Sequence, residues 1–338
     1  MRLSALEQVP HFAGRTAKET LEDQVVLARG LEDLGFERLW FAEHHSTPAF
    51  LSSVPQLLMA HVLAHTERIR IGSGGVMIMH RGSLQVAEVF HTLETLHPGR
   101  VDMGLGRAPG GDMVASHALN QGRVIDPSAI DALIDETVAI MRHTVPADHP
   151  YSGLRAQPEP AGSPQIWLLG SSGQSAAWAG VRGLNYAYAQ FFTGRQQPEI
   201  MDHYRAHLPS EPLPVGSGAP VPAESGLTLS ALCVSAAETR EEAIEQALPA
   251  ASFRLRLRTG RPASFAPAAE MSAEDRDEAR RWLERDTAII TGAYDEVADR
   301  IRAFAAAHRV DEAMLISYIP DVAVKLEQYR QLAARLAD

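Results

Sequence analysis

The sequence predicts an α/β fold in which eight strand–helix units close into a (β/α)8 TIM barrel with insertions at its C-terminal face. Short apolar runs alternate along the chain with amphipathic stretches of helical period, and this alternation is typical of a parallel sheet. The chain has 338 residues, more than the roughly 250 residues of a plain barrel, which leaves room for insertions. The same pattern also fits an open, doubly wound sheet, which is the alternative fold.

The candidate strands are runs that are fully apolar or that alternate between apolar and polar residues. In chain order they cover residues 3–6, 39–42, 69–71, 101–105, 166–169, 186–188, 227–233 and 314–316. Apolar residues at helical spacing predict helices within residues 86–96, 297–304 and 322–336. We expect one domain over residues 1–338, with insertions near residues 107–125, 145–164, 209–225 and 253–285. The last insertion is a candidate lid over the barrel.

Composition and charge exclude several classes of partner. The chain has 31 Lys and Arg against 42 Asp and Glu, a formal net charge of −11, whereas nucleic acids and anionic membranes attract clustered positive charge. No apolar run approaches the roughly 18 residues of a membrane-spanning helix, and we expect no signal peptide. A single cysteine, Cys233, excludes an internal disulfide and fits a reducing compartment. We therefore expect a cytoplasmic protein.

Polar residues and glycines follow the candidate strands at the points where the strands end. In a closed parallel barrel the carboxyl ends of the strands form one rim, and ligands bind there. The segments at this rim are Glu-His-His at 43–45, Ser-Gly-Gly at 73–75, Gly-Arg at 106–107, Gly-Ser-Ser-Gly-Gln-Ser at 170–175 and Gln-Phe-Phe at 190–192. An acid, imidazoles, a guanidinium and hydroxyls thus converge on one candidate site.

Two of these segments suggest an anion site. Residues 170–175 read as a turn into a helix, where free backbone N–H groups and hydroxyls can hold a phosphate, although a plain serine N-cap is the ordinary alternative. Arg107 adds a guanidinium that can contact two phosphate oxygens, or it forms a surface ion pair. Pro109 stands where a dinucleotide fingerprint needs its third glycine, and no GxxxxGK[ST] loop is present. The phosphate would therefore belong to another kind of cofactor.

Residues 43–45 contain the candidate catalytic group. Adjacent residues of a strand point to opposite sides, so His44 and His45 are poorly placed to bind one metal ion, and we expect no metal site. His44 is then either a structural histidine paired with a carboxylate or a general acid/base that faces a cofactor. In residues 73–75 the two glycines lack Cβ and suggest backbone pressed against a flat ligand, with a β-bulge as the alternative.

The ordered set of these segments resembles one known family, the bacterial luciferase-like monooxygenases. The resemblance is carried by Trp-Phe-Ala-Glu-His-His at 40–45, Ile-Arg-Ile-Gly-Ser-Gly-Gly-Val-Met at 69–77, Leu-His-Pro-Gly-Arg-Val-Asp-Met-Gly-Leu-Gly-Arg-Ala-Pro-Gly at 96–110, Leu-Gly-Ser-Ser at 169–172, Gly-Leu-Asn-Tyr at 183–186 and Thr-Gly-Ala-Tyr-Asp-Glu-Val at 291–297. It extends from about residue 3 to residue 336. The resemblance implies a TIM barrel and a monooxygenase that uses reduced FMN from a separate flavin reductase.

The resemblance also implies roles for individual residues. His44 matches the catalytic histidine beside the flavin ring, and Glu43 or a neighbour would set its tautomer. A non-prolyl cis peptide bond under the isoalloxazine is implied at residues 74–75. The residues assigned to cofactor binding are Ser73, Gly74, Gly75, Arg107, Gly170, Ser171, Ser172, Ser175 and Gln190. The chain departs from the family pattern at Gln190, because close relatives often carry histidine near this position.

The implied reaction joins reduced FMN and O2 in a C4a-hydroperoxide that oxygenates a small organic substrate in a dry cavity. A homodimer is expected by analogy with the family. An F420-dependent oxidoreductase on the same barrel is the nearest alternative and would transfer hydride without oxygen. A non-catalytic flavin-binding protein and a metal-assisted hydrolase are the more distant alternatives.

Overall fold

The computed structural model describes residues 1–108, 111–124, 126–210 and 226–337. The strands of these residues are β1 (Arg2–Glu7), β2 (Arg38–Phe41), β3 (Arg70–Ser73), β4 (Val76–Met77), β5 (Val101–Gly106), β6 (Gln165–Gly170), β7 (Asn185–Ala189), β8 (Thr228–Ala237), β9 (Ile289–Ala293) and β10 (Glu312–Ile316). The α-helices are α1 (Ala17–Asp33), α2 (Pro55–Leu63), α3 (Ser83–Leu96), α4 (Met113–Leu119), α5 (Ile130–Met141), α6 (Gly173–Val181), α7 (Pro198–Ala206), α8 (Arg240–Arg258), α9 (Ala273–Leu283), α10 (Tyr294–His308) and α11 (Val322–Leu336).

Eight of the strands form a closed parallel barrel. Each strand pairs with the next in the order β10–β1–β2–β3–β5–β6–β7–β8, and β8 pairs with β10 to close the cylinder. The predicted (β/α)8 TIM barrel is therefore confirmed, and the open sheet is excluded. Every predicted strand overlaps one of these eight. The helices lie outside the cylinder, where α2, α6, α8 and α10 pack against strands and α9 packs on α8.

Two strands lie beside the barrel and were not predicted. β4 has only two residues and pairs with β5 just beyond the end of β3. β8 is ten residues long, and its second half pairs with β9 after its pairing with β7 has ended at Ala231. Both extra strands extend the sheet toward the C-terminal face. They extend the sheet beyond the barrel on the side where ligands are expected to bind.

A buried charge network fills the amino-terminal end of the barrel. Arg38 on β2 donates hydrogen bonds of 2.7 and 3.1 Å to Glu312 on β10, of 2.7 Å to Asp102 on β5 and of 2.9 Å to Gln165 on β6. Burial raises the pKa of Asp102, but the charges of Arg38 and Arg70 outweigh that effect and leave this pKa below its ordinary value. The network ties four strands together at one end of the barrel and leaves the opposite end for a site.

The predicted insertions have different structures. Residues 107–125 contain α4, with Pro109, Gly110 and Ile125 outside the described residues, and residues 145–164 form turns and irregular backbone. Most of the insertion predicted at 209–225 also lies outside the described residues. The segment predicted at 253–285 begins inside α8, which packs against α9, β8 and β9. No helix of the described residues is long and apolar enough to cross a bilayer.

Candidate active site

A cavity of about 280 Å³ opens at the carboxyl ends of the barrel strands. Its floor is made by apolar side chains that point inward from β1, β2, β6, β7, β8 and β10, namely Leu6, Trp40, Leu169, Ala187, Leu229, Ala231 and Met314. Its polar wall includes His44, Arg107 and Ser171. The structure therefore brings the candidate catalytic histidine and the candidate anion site into one cavity.

The turn after β6 forms one end of this cavity. Ser172 caps α6 through a reciprocal contact with Ser175. The Ser172 hydroxyl accepts from the Ser175 amide, and the Ser175 hydroxyl donates to the Ser172 carbonyl. The Ser175 hydroxyl also lies 3.0 Å from the Tyr186 hydroxyl. A Cβ at Gly170 would lie 2.0 Å from that Ser175 oxygen, so a side chain has no room there. Ser171 lines the cavity, and its hydroxyl makes no hydrogen bond within the described residues. The N-cap interpretation of this turn is thus correct for Ser172 and Ser175, whereas Ser171 takes no part in the cap.

Arg107 lies at the end of β5 beside this turn. Its guanidinium stacks on the Trp178 ring of α6, with Cζ 3.9 Å from the ring centroid. The nearest carboxylate, Asp131, lies 3.8 Å from Nε, too far for a hydrogen bond, and Nε is buried without a partner among the described residues. Burial raises the pKa of Asp131, with the charge of Arg107 acting in the opposite direction. Arg107 therefore holds a positive charge at the cavity wall with a donor still to be satisfied.

The segment between β3 and β4 brings backbone against the cavity. The peptide bond between Gly74 and Gly75 is cis, as the resemblance implies. A Cβ at Gly75 would lie 2.8 Å from the carbonyl oxygen of Gly104 and 2.9 Å from the amide of Gly106, so only glycine fits against β5. Ser73 does not line the cavity. It is fully buried, and its hydroxyl donates to the Gly104 carbonyl and accepts from the Gly104 amide, which makes it a link between β3 and β5.

His44 follows β2 and lines the cavity on the side of the N-terminal segment. Its ring stacks on Phe50 with a centroid distance of 4.4 Å and an interplanar angle of 26°. Its Nδ1 is buried and has no hydrogen-bond partner among the described residues. Burial, assisted by the charge of His45 and opposed by that of Glu43, lowers the pKa of His44 to about 4. His44 is therefore neutral near pH 7.

Glu43 is placed differently from the expectation that it orients His44. Its carboxylate accepts hydrogen bonds from His45 Nε2 at 2.8 Å, from Arg81 at 2.8 Å and from the Met77 amide at 3.2 Å. The physical reason is the alternation along the strand end, which points residues 43 and 45 to one side and residue 44 to the other. Glu43 thus fixes His45 and β4, and the tautomer of His44 is not set by it.

The sixth barrel strand, β7, leads into Gln190, Phe191 and Phe192. Gln190 is buried and does not line the cavity, and its side-chain oxygen has no partner among the described residues. Phe191 and Phe192 do line the cavity and form part of its mouth, with Phe192 exposed.

Sequence reasoning missed Gln8, which lines the cavity from the end of β1 and accepts a 2.5 Å hydrogen bond from Tyr318. Its position just after a strand could have indicated this, because ligands bind at the carboxyl ends of all barrel strands, including β1.

Comparison with known proteins identifies the family of this chain. The sequence model described as luciferase-like monooxygenase matches residues 1–311. The chain is 32% identical over 337 residues to the N-acetyl-S-alkylcysteine monooxygenase of Bacillus subtilis (strain 168), which covers 98% of this chain and 97% of the relative. The crystal structure of apo-MsnO8 superimposes with a TM-score of 0.84 at 32% identity and covers 99% of this chain and 98% of that chain.

Two more distant solved structures share the fold alone. One is the oxygenating constituent of 3,6-diketocamphane monooxygenase from Pseudomonas putida in complex with FMN, with a TM-score of 0.71, 17% identity and coverage of 100% and 98%. The other is an F420-dependent secondary alcohol dehydrogenase, with a TM-score of 0.69, 17% identity and coverage of 100% and 99%. The family match over most of the chain and the relative of 32% identity show that this protein belongs to the luciferase-like monooxygenase family, which confirms both the predicted family and the predicted enzyme class.

Proposed function

We propose that the protein is an FMN-dependent monooxygenase that inserts one atom of O2 into a small organic substrate. One observation carries the proposal: a single apolar cavity is lined by Ser171, by Arg107 and by His44, and among the described residues Arg107 Nε and His44 Nδ1 have no hydrogen-bond partner. Most small-molecule sites combine an apolar lining with a few convergent polar groups in this way. A cavity lined by residues that carry two orphaned polar atoms therefore fits a ligand that is polar at one end and flat at the other.

The residues present fit FMN. Arg107 and the Ser171 hydroxyl, with the amino-terminal end of α6, would hold the phosphate, because a guanidinium and free N–H groups are strong phosphate donors. The backbone of Gly74 and Gly75 would lie against the flavin ring, where a side chain has no room. When bound, reduced FMN would supply the two electrons that the reaction needs for one oxygen atom of O2 to enter the substrate and the other to leave as water.

The chain's own residues would control protons and water. His44 is neutral near pH 7 because burial lowers its pKa to about 4, so its Nδ1 can accept a proton and return it within one turnover. The apolar floor from Leu6 to Met314 limits the access of water, which would otherwise divert the activated oxygen to hydrogen peroxide. Glu43 has no part in this proton transfer, since its carboxylate is bound to His45, Arg81 and the Met77 amide.

The proposal extends to the partners and the substrate. We infer a separate flavin reductase as the source of reduced FMN, a second copy of this chain as partner, and the cytoplasm as location. The named activity of the relative from Bacillus subtilis makes an N-acylated S-alkylcysteine the first substrate to test. The fold is shared with an F420-dependent dehydrogenase, so F420 is the cofactor that the experiment must exclude.

Oxygen uptake decides between the two cofactors. Purified protein is mixed with photoreduced FMN, O2 and N-acetyl-S-methylcysteine, and in parallel with reduced F420 and acetone. We expect oxygenated product only in the FMN reaction, and about 10²-fold slower turnover in His44→Asn with FMN binding retained. Turnover with F420 alone would contradict the proposed cofactor, and unchanged turnover in His44→Asn would remove this histidine from the mechanism.

A further inference from the structure

The orientation of the His44 ring depends on packing. No side chain of the described residues bonds its Nδ1, while its backbone amide donates a 2.8 Å hydrogen bond to the Ser52 carbonyl. The ring itself lies flat on Phe50 at 4.4 Å. The position of the Phe50 ring therefore determines both where His44 points and how much water reaches it.

Phe50 is supported from behind by two rings from a distant part of the chain. Phe253, near the end of α8, lies 5.3 Å from Phe50 between ring centroids, and Phe265, in the segment between α8 and α9, lies 5.5 Å from it. Phe253 and Phe265 stack on each other at 4.4 Å with an angle of 16°. Phe265 is 1% exposed, and its carbonyl accepts a 2.9 Å hydrogen bond from the Ala13 amide, which fixes this segment to the N-terminal loop.

The same Phe265 ring also supports a second residue of the cavity wall. It stacks on Tyr318 at 5.4 Å with an angle of 18°. The Tyr318 hydroxyl donates to the side-chain oxygen of Gln8, and this contact turns the Gln8 amide so that its NH2 group is the end left for other partners. Gln8 lines the cavity. The Phe265 ring thus contacts both Phe50, on which His44 stacks, and Tyr318, which donates to Gln8.

We propose that Phe265 is a positioning residue of this active site, which through Phe50 and Tyr318 fixes His44 and Gln8 and shields His44 from water. The segment predicted as a lid contributes this aromatic contact. The catalytic part of the inference rests on the proposed function, whereas the effect on the environment of His44 does not.

The charged groups near His44 do not mask an effect of burial on its pKa. The titratable groups that act on it are His45 and Glu43, both from its own segment, and Glu43 is itself bound to Arg81. The elements packed against the ring contribute aromatic side chains at this contact, from the loop that carries Phe50 and, behind it, from Phe253 and Phe265. Burial is the largest cause that lowers the pKa of His44, so removal of the aromatic shield has a direct readout.

The test compares Phe265→Ala with a matched control, Phe36→Ala. Phe36 is also a buried phenylalanine in ring contact, 5.5 Å from Tyr329, and it lies between α1 and β2 at the amino-terminal end of the barrel. The ionisation of His44 is followed by NMR titration of its ring, assigned with His44→Asn. We expect the acid dissociation constant of His44 to fall at least about tenfold in Phe265→Ala, a rise of one pKa unit toward 6.5, and to stay unchanged in Phe36→Ala.

The outcomes separate this inference from the proposed function. An unchanged His44 titration in Phe265→Ala, or an equal change in Phe36→Ala, would overturn the positioning role. If Phe265→Ala does not fold, Phe265→Val removes less of the ring and is expected to lower the constant at least about threefold, with no effect again counting against the role. With FMN, Phe265→Ala should also release more hydrogen peroxide per O2 consumed. A protein that shows the NMR effect but binds no flavin would refute the proposed function and leave the packing role intact.

Discussion

His44 makes the stability of the folded protein depend on pH in a way that one substitution removes. Burial lowers the pKa of this histidine from 6.5 to about 4, because the charged imidazole would lose its hydration against Phe50. At about 1.36 kcal/mol per pKa unit, this difference corresponds to about 3 kcal/mol between the folded and unfolded states. Replacement by asparagine, which does not titrate, should abolish this contribution to the pH dependence.

The direction of this pH dependence follows from the number of protons that the folded and unfolded states bind. Between pH 6.5 and about pH 4 the unfolded chain binds a proton at His44 and the folded protein does not, so the free energy of unfolding rises with pH in that window. Full stability from this group is present above pH 6.5, and about 3 kcal/mol is lost as the pH falls toward 4. In His44→Asn the same loss should be absent, while all other groups titrate as before.

The assay is urea unfolding at several pH values from 7.5 to 4 for the original protein, for His44→Asn and for the control His203→Asn, which removes an exposed histidine on α7. The free energy of unfolding of the original protein, relative to that of His44→Asn, should fall by about 3 kcal/mol from pH 7.5 to pH 4. A difference that stays constant with pH would refute the conclusion that His44 is kept neutral by burial.

Two further substitutions test the two ends of the barrel. Arg107→Ala removes a charged donor from the cavity wall, so FMN should bind about 10- to 100-fold more weakly while riboflavin, which lacks the phosphate, binds equally well. A flavin titration in which both ligands weaken alike would contradict the assignment of Arg107 to the phosphate. Arg38→Met leaves Glu312 buried without its counter-ion and leaves Asp102 with Arg70 alone, so the free energy of unfolding should fall by about 3–5 kcal/mol. A loss below about 1 kcal/mol in urea unfolding would show that the network is relaxed by water or protonation.

The barrel could be predicted from the sequence because its strands are marked by apolar residues of regular period. The run at 166–169 and the alternation at 101–105 are such cases, and both are barrel strands. The strand β9 was missed because Ile289–Ala293 ends in Thr-Gly-Ala and reads as the start of the following helix. β4 was missed because two residues, Val76 and Met77, carry no period at all.

The candidate site also has features that the sequence predicts and features that it does not. The rim rule needs only the order of strands, and it correctly placed His44, Arg107 and Ser171 in one cavity. It could not show that Glu43 bonds His45 and Arg81, because that choice depends on side-chain direction at the end of β2. The supports of His44 were equally hidden. Phe50 and Phe265 are 215 positions apart in the chain, and nothing local in the sequence indicates that their rings meet.

We propose that one cavity binds FMN between the donors of Arg107 and Ser171 and the ring of His44. A crystal structure of the protein soaked with FMN would show where the cofactor binds. We expect the phosphate to lie within hydrogen-bond distance of the Arg107 guanidinium and the Ser171 hydroxyl, with the flavin ring over the backbone of Gly74 and Gly75 and beside His44. A flavin bound with its phosphate away from Arg107, or outside the cavity, would refute this proposal.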